Sequence, residues 1–200
     1  MLVCILGLSA CGKDYVSNIV SDKYKLTRIV QFTTRPIRSN ELDGIDYHFV
    51  DKELFKRMIA RGEFISFRIF NTTLGEWYYG ITSDCLNDTE DSIICIDVEG
   101  LKELLENYNR DNILSIFIEA DYGTRKERAE KRSNFDSDEF NRRYKDDVDK
   151  IDIIKEKCDY IIDNNSGGNC ISDVCNILDL RLKCFWYTKI NADRPLKTQA

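Results

Sequence analysis

The sequence predicts an α/β fold in which a parallel sheet carries helices on both faces, with a small α+β insertion and a charged helical segment. Three observations lead there. Short apolar runs of strand length recur at residues 2–6, 28–32, 92–96, 113–118 and 160–162, with helical stretches between most of them, as in a sheet buried on both faces. Between residues 33 and 82 the texture changes to shorter, aromatic-rich elements. From 122 to 157 it changes again, to runs such as TRKERAEKR and DEFNRRYKDDVDKIDIIKEK.

Taken in order, LVCIL ends at Gly7, and Val16, Ile19 and Val20 then fall near helical spacing, so strand, glycine loop and helix follow one another. Residues 53–60 have a helical pattern. Residues 64–70 and 77–81 flank the polar turn NTTLGE, which contains Gly75, and predict a hairpin. The charged stretch predicts two helices, either merely solvated or forming a mobile lid whose arginines close over phosphate. SGGNCISDVCNILDLRLKC predicts one more helix, and residues 185–200 have no clear pattern. No internal repeat or low-complexity linker is present. The expected layout is a core of residues 1–32 and 83–184 with a helical lid at about 122–145, an insertion at 33–82, and a tail at 185–200 of unknown role.

Two hundred residues with 42% hydrophobic content suffice for a sizeable core. The 29 Lys and Arg against 35 Asp and Glu leave a net charge of -6, which gives no general attraction to nucleic acid or anionic membrane, so neither is an expected partner. No apolar run approaches the roughly 20 residues that span a bilayer. The eight cysteines lack a C-x-x-C pair, and Cys4, Cys95 and Cys158 lie in or beside apolar runs, which points to a reducing cytoplasm. His48, the single histidine, has no cysteine cluster beside it, so no zinc site is expected. LSAC at 8–11 resembles a lipoprotein cleavage box, but residues 1–7 supply neither the positive leader nor the apolar length of a secretory signal.

GLSACGKD, residues 7–14, fits the phosphate-loop pattern G-x-x-x-x-G-K-[ST] except at its last position. In such a loop the backbone N–H groups through Ser9, Ala10, Cys11 and Gly12 surround phosphate oxygens, and Lys13 brings a mobile cation to the β and γ phosphates. Gly7 and Gly12 permit the backbone angles and close approach this needs. Asp14 stands where Ser or Thr would offer magnesium a hydroxyl. A carboxylate is also a hard oxygen ligand, so Asp14 is the candidate residue for Mg2+, with ATP as the expected donor. TTRPIRSNELDGIDYHF, residues 33–49, sets Arg35 and Arg38 three apart and adds the Tyr47 hydroxyl, a candidate clamp for a dianionic phosphate.

In this order the segments resemble the guanylate kinase family, from about residue 2 to residue 165. GLSACGK stands at its ATP loop, TTRPIRSNELDGIDYHFVDKELFKRMIARGEF at its monophosphate-binding region, WYYG at its second tyrosine motif and CIDVEG at its strand-end acidic motif. RKERAEKR, NRRYKDD and CDYIIDNN match its arginine-bearing lid and last strand. The resemblance implies a P-loop core with a monophosphate-binding insertion, and transfer of the ATP γ-phosphoryl to a (deoxy)nucleoside monophosphate by a monomer or homodimer. By position it implies that Arg35, Arg38, Tyr47 and Tyr79 hold the acceptor phosphate. Lys13, Arg128, Arg132 and Arg143 would neutralise the transferring group, and Asn164 would lie near the ATP base.

The departures fall on the acceptor's base. Gln31 replaces a serine that touches guanine, Ser66 the guanine-reading glutamate, Ile81 a hydroxyl residue (with Thr82 next), and Cys95 an acidic residue, while Asp97 is kept. The hairpin is longer than the family's, which lets Arg68 or Glu76 re-enter the pocket. The expectation is thus a kinase for GMP and dGMP, or for a different or modified base. The alternatives are an inactive binding module of the same family, which tends to lose the ATP loop, and a kinase of a non-nucleotide phosphate, which fits less easily with Asp97 and the tyrosine pair.

Overall fold

The computed structural model describes residues 1–39, 41–83, 86, 90–108, 110–132, 135–148, 151–165 and 169–192. Five parallel strands form the core sheet: β1 (Leu2–Leu6), β2 (Thr27–Arg28), β7 (Ser92–Cys95), β8 (Ile113–Glu119) and β9 (Tyr160–Asp163), in the order β2-β7-β1-β8-β9. Side chains alternate across a strand, so Val3 and Ile5 enter one core while Cys4 and Leu6 enter the other. The first core is closed by Val16 and Val20 of α1 (Lys13–Tyr24) and by Val174 and Leu178 of α7 (Cys170–Ala192). The second is closed by Leu101 and Leu104 of α3 (Val98–Asn107). Each such fully buried aliphatic side chain contributes about 1.5–3 kcal/mol relative to exposure. The expected sheet with helices on both faces is therefore present.

One expected strand is divided. The apolar run at 28–32 serves two sheets, because Ile29 still bonds to the Ile93 carbonyl at 2.9 Å while Phe32 already belongs to β3 (Phe32–Thr33) of a second sheet. That sheet, ordered β4-β3-β6-β5, adds β4 (His48–Phe49), β5 (Phe64–Thr72) and β6 (Gly75–Thr82). Helix α2 (Lys52–Ala60) starts at Asp51, whose side chain accepts from the Leu54 N–H at 2.6 Å, and buries Phe55 against Phe64 and Tyr78. His48 packs on Phe32, with ring centroids 4.7 Å apart.

The charged stretch forms three helices, where two were expected: α4 (Tyr122–Glu130), α5 (Ser137–Val148) and α6 (Ile151–Lys157). Helix α6 is tied back to the core sheet, with Ile151 against the second core and Lys155 paired to Glu119 of β8 at 2.5 Å. Helix α7 continues to Ala192, beyond the expected end of the last helix, and residues 193–200 of the tail lie outside the described residues. Among the described residues no helix is long and apolar enough to cross a membrane.

Candidate functional site

The phosphate loop leaves β1 at Gly7 and enters α1 after Gly12. A Cβ on Gly7 would lie 2.7 Å from the Ile118 carbonyl oxygen and against the Cys11 sulfur, so packing alone demands glycine. Gly12 sits at φ 97°, and a Cβ there would lie 2.5 Å from Asn164 Nδ2. Ala10 takes a left-handed φ of 62° without glycine's freedom. Left-handed residues of this kind gather N–H groups into an anion-binding concavity. No side chain caps α1, so none competes for its first N–H groups, and the helix dipole adds positive potential there.

Two of the expected residues brace the loop. The Cys11 carbonyl accepts from Arg128 Nη1 at 3.0 Å and from Asn164 Nδ2 at 2.8 Å, and Arg128 Nη2 donates to the Asn164 carbonyl at 2.7 Å. Arg125, 2% exposed, reaches the Ser9 carbonyl at 3.4 Å and lies over the Tyr144 ring. The sequence reading assigned Arg125 no role. Its signal was its place three residues before Arg128, on the same side of α4.

Lys13 is half-buried in a cleft of about 320 Å³ that also holds Ser9, Gln31, Tyr47, Tyr79 and Asp97. Burial opposes its charge, but Asp14 and the surrounding thiol and phenol groups outweigh this and raise its pKa, so it stays a cation. Asp14 is exposed and borders a second cavity of about 620 Å³, together with Arg38 and Arg132. Desolvation by the surrounding protein opposes the Asp14 charge, but Lys13, a hydrogen bond from the Cys95 thiol, Arg132 and Arg38 outweigh it and lower its pKa, leaving an anion. Burial and Asp14 push the Cys95 thiol up, which keeps its proton available for that bond. Gln31, Tyr47 and Cys95 border both cavities.

The clamp comes together around Glu41, which the sequence reading did not single out. Arg35, 4% exposed, makes a two-pronged pair with Glu41 at 2.8 and 2.9 Å and stacks over Tyr47 and Phe49. Glu41 also accepts from the Arg38 N–H at 2.9 Å. Burial works to raise the Glu41 pKa, but the Arg35 hydrogen bonds and the Arg38 amide bring it below the usual carboxylate range. Burial and the neighbouring Arg35 lower the Arg38 pKa, and Arg38 Nε is enclosed without a hydrogen-bond partner. Such a cation gains from an incoming anion. The Tyr47 and Tyr79 rings meet edge to face at 5.8 Å, and burial followed by Asp14 raises the Tyr47 pKa, so its hydroxyl remains a donor.

The hairpin settles which long side chain enters the cleft. Ser66 pairs with Ile81, Arg68 with Tyr79 and Phe70 with Trp77, and these six line one wall. Glu76 pairs with Asn71, out of phase, and lies 3.8 Å from Lys52, so the expected alternative of Glu76 filling the vacated place does not hold. Arg143 borders the same cleft, over the Trp77 ring, with its Nε on Glu139 at 2.7 Å. Glu139 also takes Arg142 and accepts from the Thr73 N–H at 3.3 Å, which links α5 to the hairpin turn. Burial opposes its charge, yet Arg142 and Arg143 bring its pKa down to about 2. Among the described residues no cluster of three or more His, Cys, Asp or Glu has the form of a metal site.

A family model described as guanylate kinase matches residues 1–180. A guanylate kinase from Mesoplasma florum is 31% identical over 98% of this chain, and the match spans 65% of that relative's length. One from Lactobacillus acidophilus is 29% identical, covering 90% of this chain and 88% of its own. The crystal structure of guanylate kinase from Anaplasma phagocytophilum superposes with a TM-score of 0.66 at 26% identity, covering 90% of this chain and 85% of its own.

Proposed function

The chain belongs to the guanylate kinase family, and with it to the ATP-dependent nucleoside monophosphate kinases; on that premise we propose that it transfers the ATP γ-phosphoryl to a guanine nucleoside monophosphate, GMP or dGMP. One observation carries this reading: a phosphate loop ending in a charged Lys13 and an Arg38–Tyr47–Tyr79 group converge on connected cavities, with Asp14 between them. Phosphoryl transfer needs reactants in line and negative charge stabilised, and little covalent chemistry from the protein.

The donor set fits the expected cofactors. ATP phosphates would lie on the loop amides and Lys13, with Arg128 and Asn164 holding the loop in shape from behind. Asp14 would hold Mg2+, a hard cation suited to a carboxylate oxygen with water contact. When bound, the metal neutralises phosphate charge. Arg38, Tyr47 and Tyr79 position the acceptor phosphate, Arg35 is held behind them by Glu41, and Arg132 and Arg143 bring positive charge from the lid. The partners are therefore small molecules, in a cytoplasmic monomer or homodimer that needs neither nucleic acid nor membrane. An inactive binding module would not need the intact loop and its braces.

The test is ADP release with ATP and Mg2+ over the common ribo- and deoxyribonucleoside monophosphates and a hexose phosphate. Turnover highest with GMP or dGMP supports the reading. Turnover only with the hexose phosphate, or with no acceptor, contradicts it.

A further inference from the structure

The base end of the cleft holds few polar groups. Ser66 offers one hydroxyl, Ile81 none, and the Gln31 amide nitrogen is spent on the Cys95 carbonyl. Asp97 is fixed at the start of α3, where Oδ1 accepts from the Gly100 N–H at 2.7 Å, and its Oδ2 lies 3.9 Å from Arg68 Nε. Arg68 is held in turn: Nη2 pairs with Glu103 at 2.9 Å and Nη1 donates to the Phe67 carbonyl at 2.6 Å. Its Nε is enclosed without a hydrogen-bond partner. An immobilised guanidinium thus stands beside one carboxylate, and the other nearby carboxylate, Glu103, is engaged in holding it.

We propose that Arg68 is a specificity-determining residue for the acceptor, donating to the oxo group of the base while Asp97 accepts from the adjacent ring N–H. The site then takes 6-oxopurine monophosphates, with or without a 2-amino group, and rejects 6-aminopurines; this rests on the kinase reading above. In a 6-oxopurine the acceptor O6 lies beside the donor N1–H, matching a guanidinium beside a carboxylate. A 6-aminopurine reverses the pair and sets its amine against Arg68 and a ring lone pair against Asp97. Donor then meets donor and acceptor meets acceptor, which disfavours a 6-aminopurine. Because Glu103 is engaged by Arg68, the 2-amino group is left only neutral acceptors such as the Ser66 and Gln31 oxygens, so guanine and hypoxanthine are weakly separated. Uracil carries the same oxo–imino edge on a smaller ring, and cytosine the reversed one, so UMP should rank above CMP.

The experiment compares kcat/KM for GMP, IMP, AMP, UMP and CMP, and calorimetric binding of each without ATP, in the wild type, Arg68→Met and Arg68→Lys. Arg68→Met keeps the apolar stem and removes every donor. The expected wild-type result is GMP and IMP within about tenfold and AMP at least about 100-fold poorer. Arg68→Met should lower GMP and IMP by about 30-fold or more with AMP little changed, and Arg68→Lys should fall between. If Arg68→Met lowers all acceptors equally with a lower Tm, Arg68 only ties the hairpin to α3 and the inference is wrong. GMP preferred over IMP by 100-fold or more also overturns it. Base-selective binding that Arg68→Met abolishes, in a wild type without turnover, supports the base reading and refutes the kinase reading.

Discussion

Replacing Glu41 with Gln should separate the structural role of the arginine clamp from its ligand role. Glu41 receives two charged hydrogen bonds from Arg35 at 2.8 and 2.9 Å and one from the Arg38 amide at 2.9 Å, in a site where Arg35 is 4% exposed. Glutamine keeps the shape but loses the charge and one acceptor. A hydrogen bond to a charged group contributes about 1.5–3 kcal/mol, so Glu41→Gln should cost about 2–3 kcal/mol at neutral pH. In a chain of this size that lowers Tm by roughly 4–12 °C. The Glu41 pKa is lowered in the folded protein, so its stabilisation is present above the ordinary glutamate value and lost as pH falls through the folded one. The gap between wild type and variant should therefore close in acid. An acceptor phosphate supplies the countercharge that the variant lacks, so saturating GMP should raise the variant's Tm more than the wild type's. Differential scanning calorimetry at neutral and acid pH, with and without GMP, reads all three effects. A GMP shift in the variant equal to or smaller than that in the wild type would refute the view that Glu41 and the acceptor compensate the same arginines.

Three further outcomes are expected. Gly80→Ala puts a Cβ 2.6 Å from the Phe64 ring and 2.9 Å from Phe55, and should cost about 1–3 kcal/mol in urea denaturation; an unchanged midpoint at unchanged slope would contradict the packing. Asp14→Ala should raise the magnesium concentration needed for half-maximal turnover and Asp14→Ser should largely restore it, whereas identical titrations would reduce Asp14 to a helix-terminal anion. Glu139→Gln should expose the Thr73 amide to faster hydrogen exchange, and its stability deficit should fade between about pH 4.5 and about pH 2 as wild-type Glu139 is protonated; unchanged exchange would remove the link between α5 and the hairpin.

The core sheet was legible because its central strands β1, β7 and β8 are buried on both faces and read as unbroken apolar runs, and the loop because Gly7, Gly12 and Lys13 stand between a strand and a helix. Residues 28–32 misled because an apolar run reports burial without saying which sheet provides it, and Ile29 and Phe32 belong to different ones. The third helix of the charged segment depends on Ile151 meeting a core assembled from distant strands. Glu139 is invisible to spacing because part of its role is to meet a turn 66 residues away. The choice between Arg68 and Glu76 turned on hairpin register, set by the irregularity between Phe64 and Ser66 and the tight turn between Thr72 and Gly75, and a one-residue slip would have exchanged the two faces.

The most direct measurement of the central claim is transfer of radiolabel from the γ position of ATP to GMP, followed as labelled GDP, in the wild type and in Lys13→Ala. The account predicts Mg2+-dependent labelled GDP with the wild type and a loss of about 100-fold or more in the variant, with its circular dichroism spectrum unchanged. Labelled GDP formed equally well without Lys13, or label released only as inorganic phosphate, would contradict it.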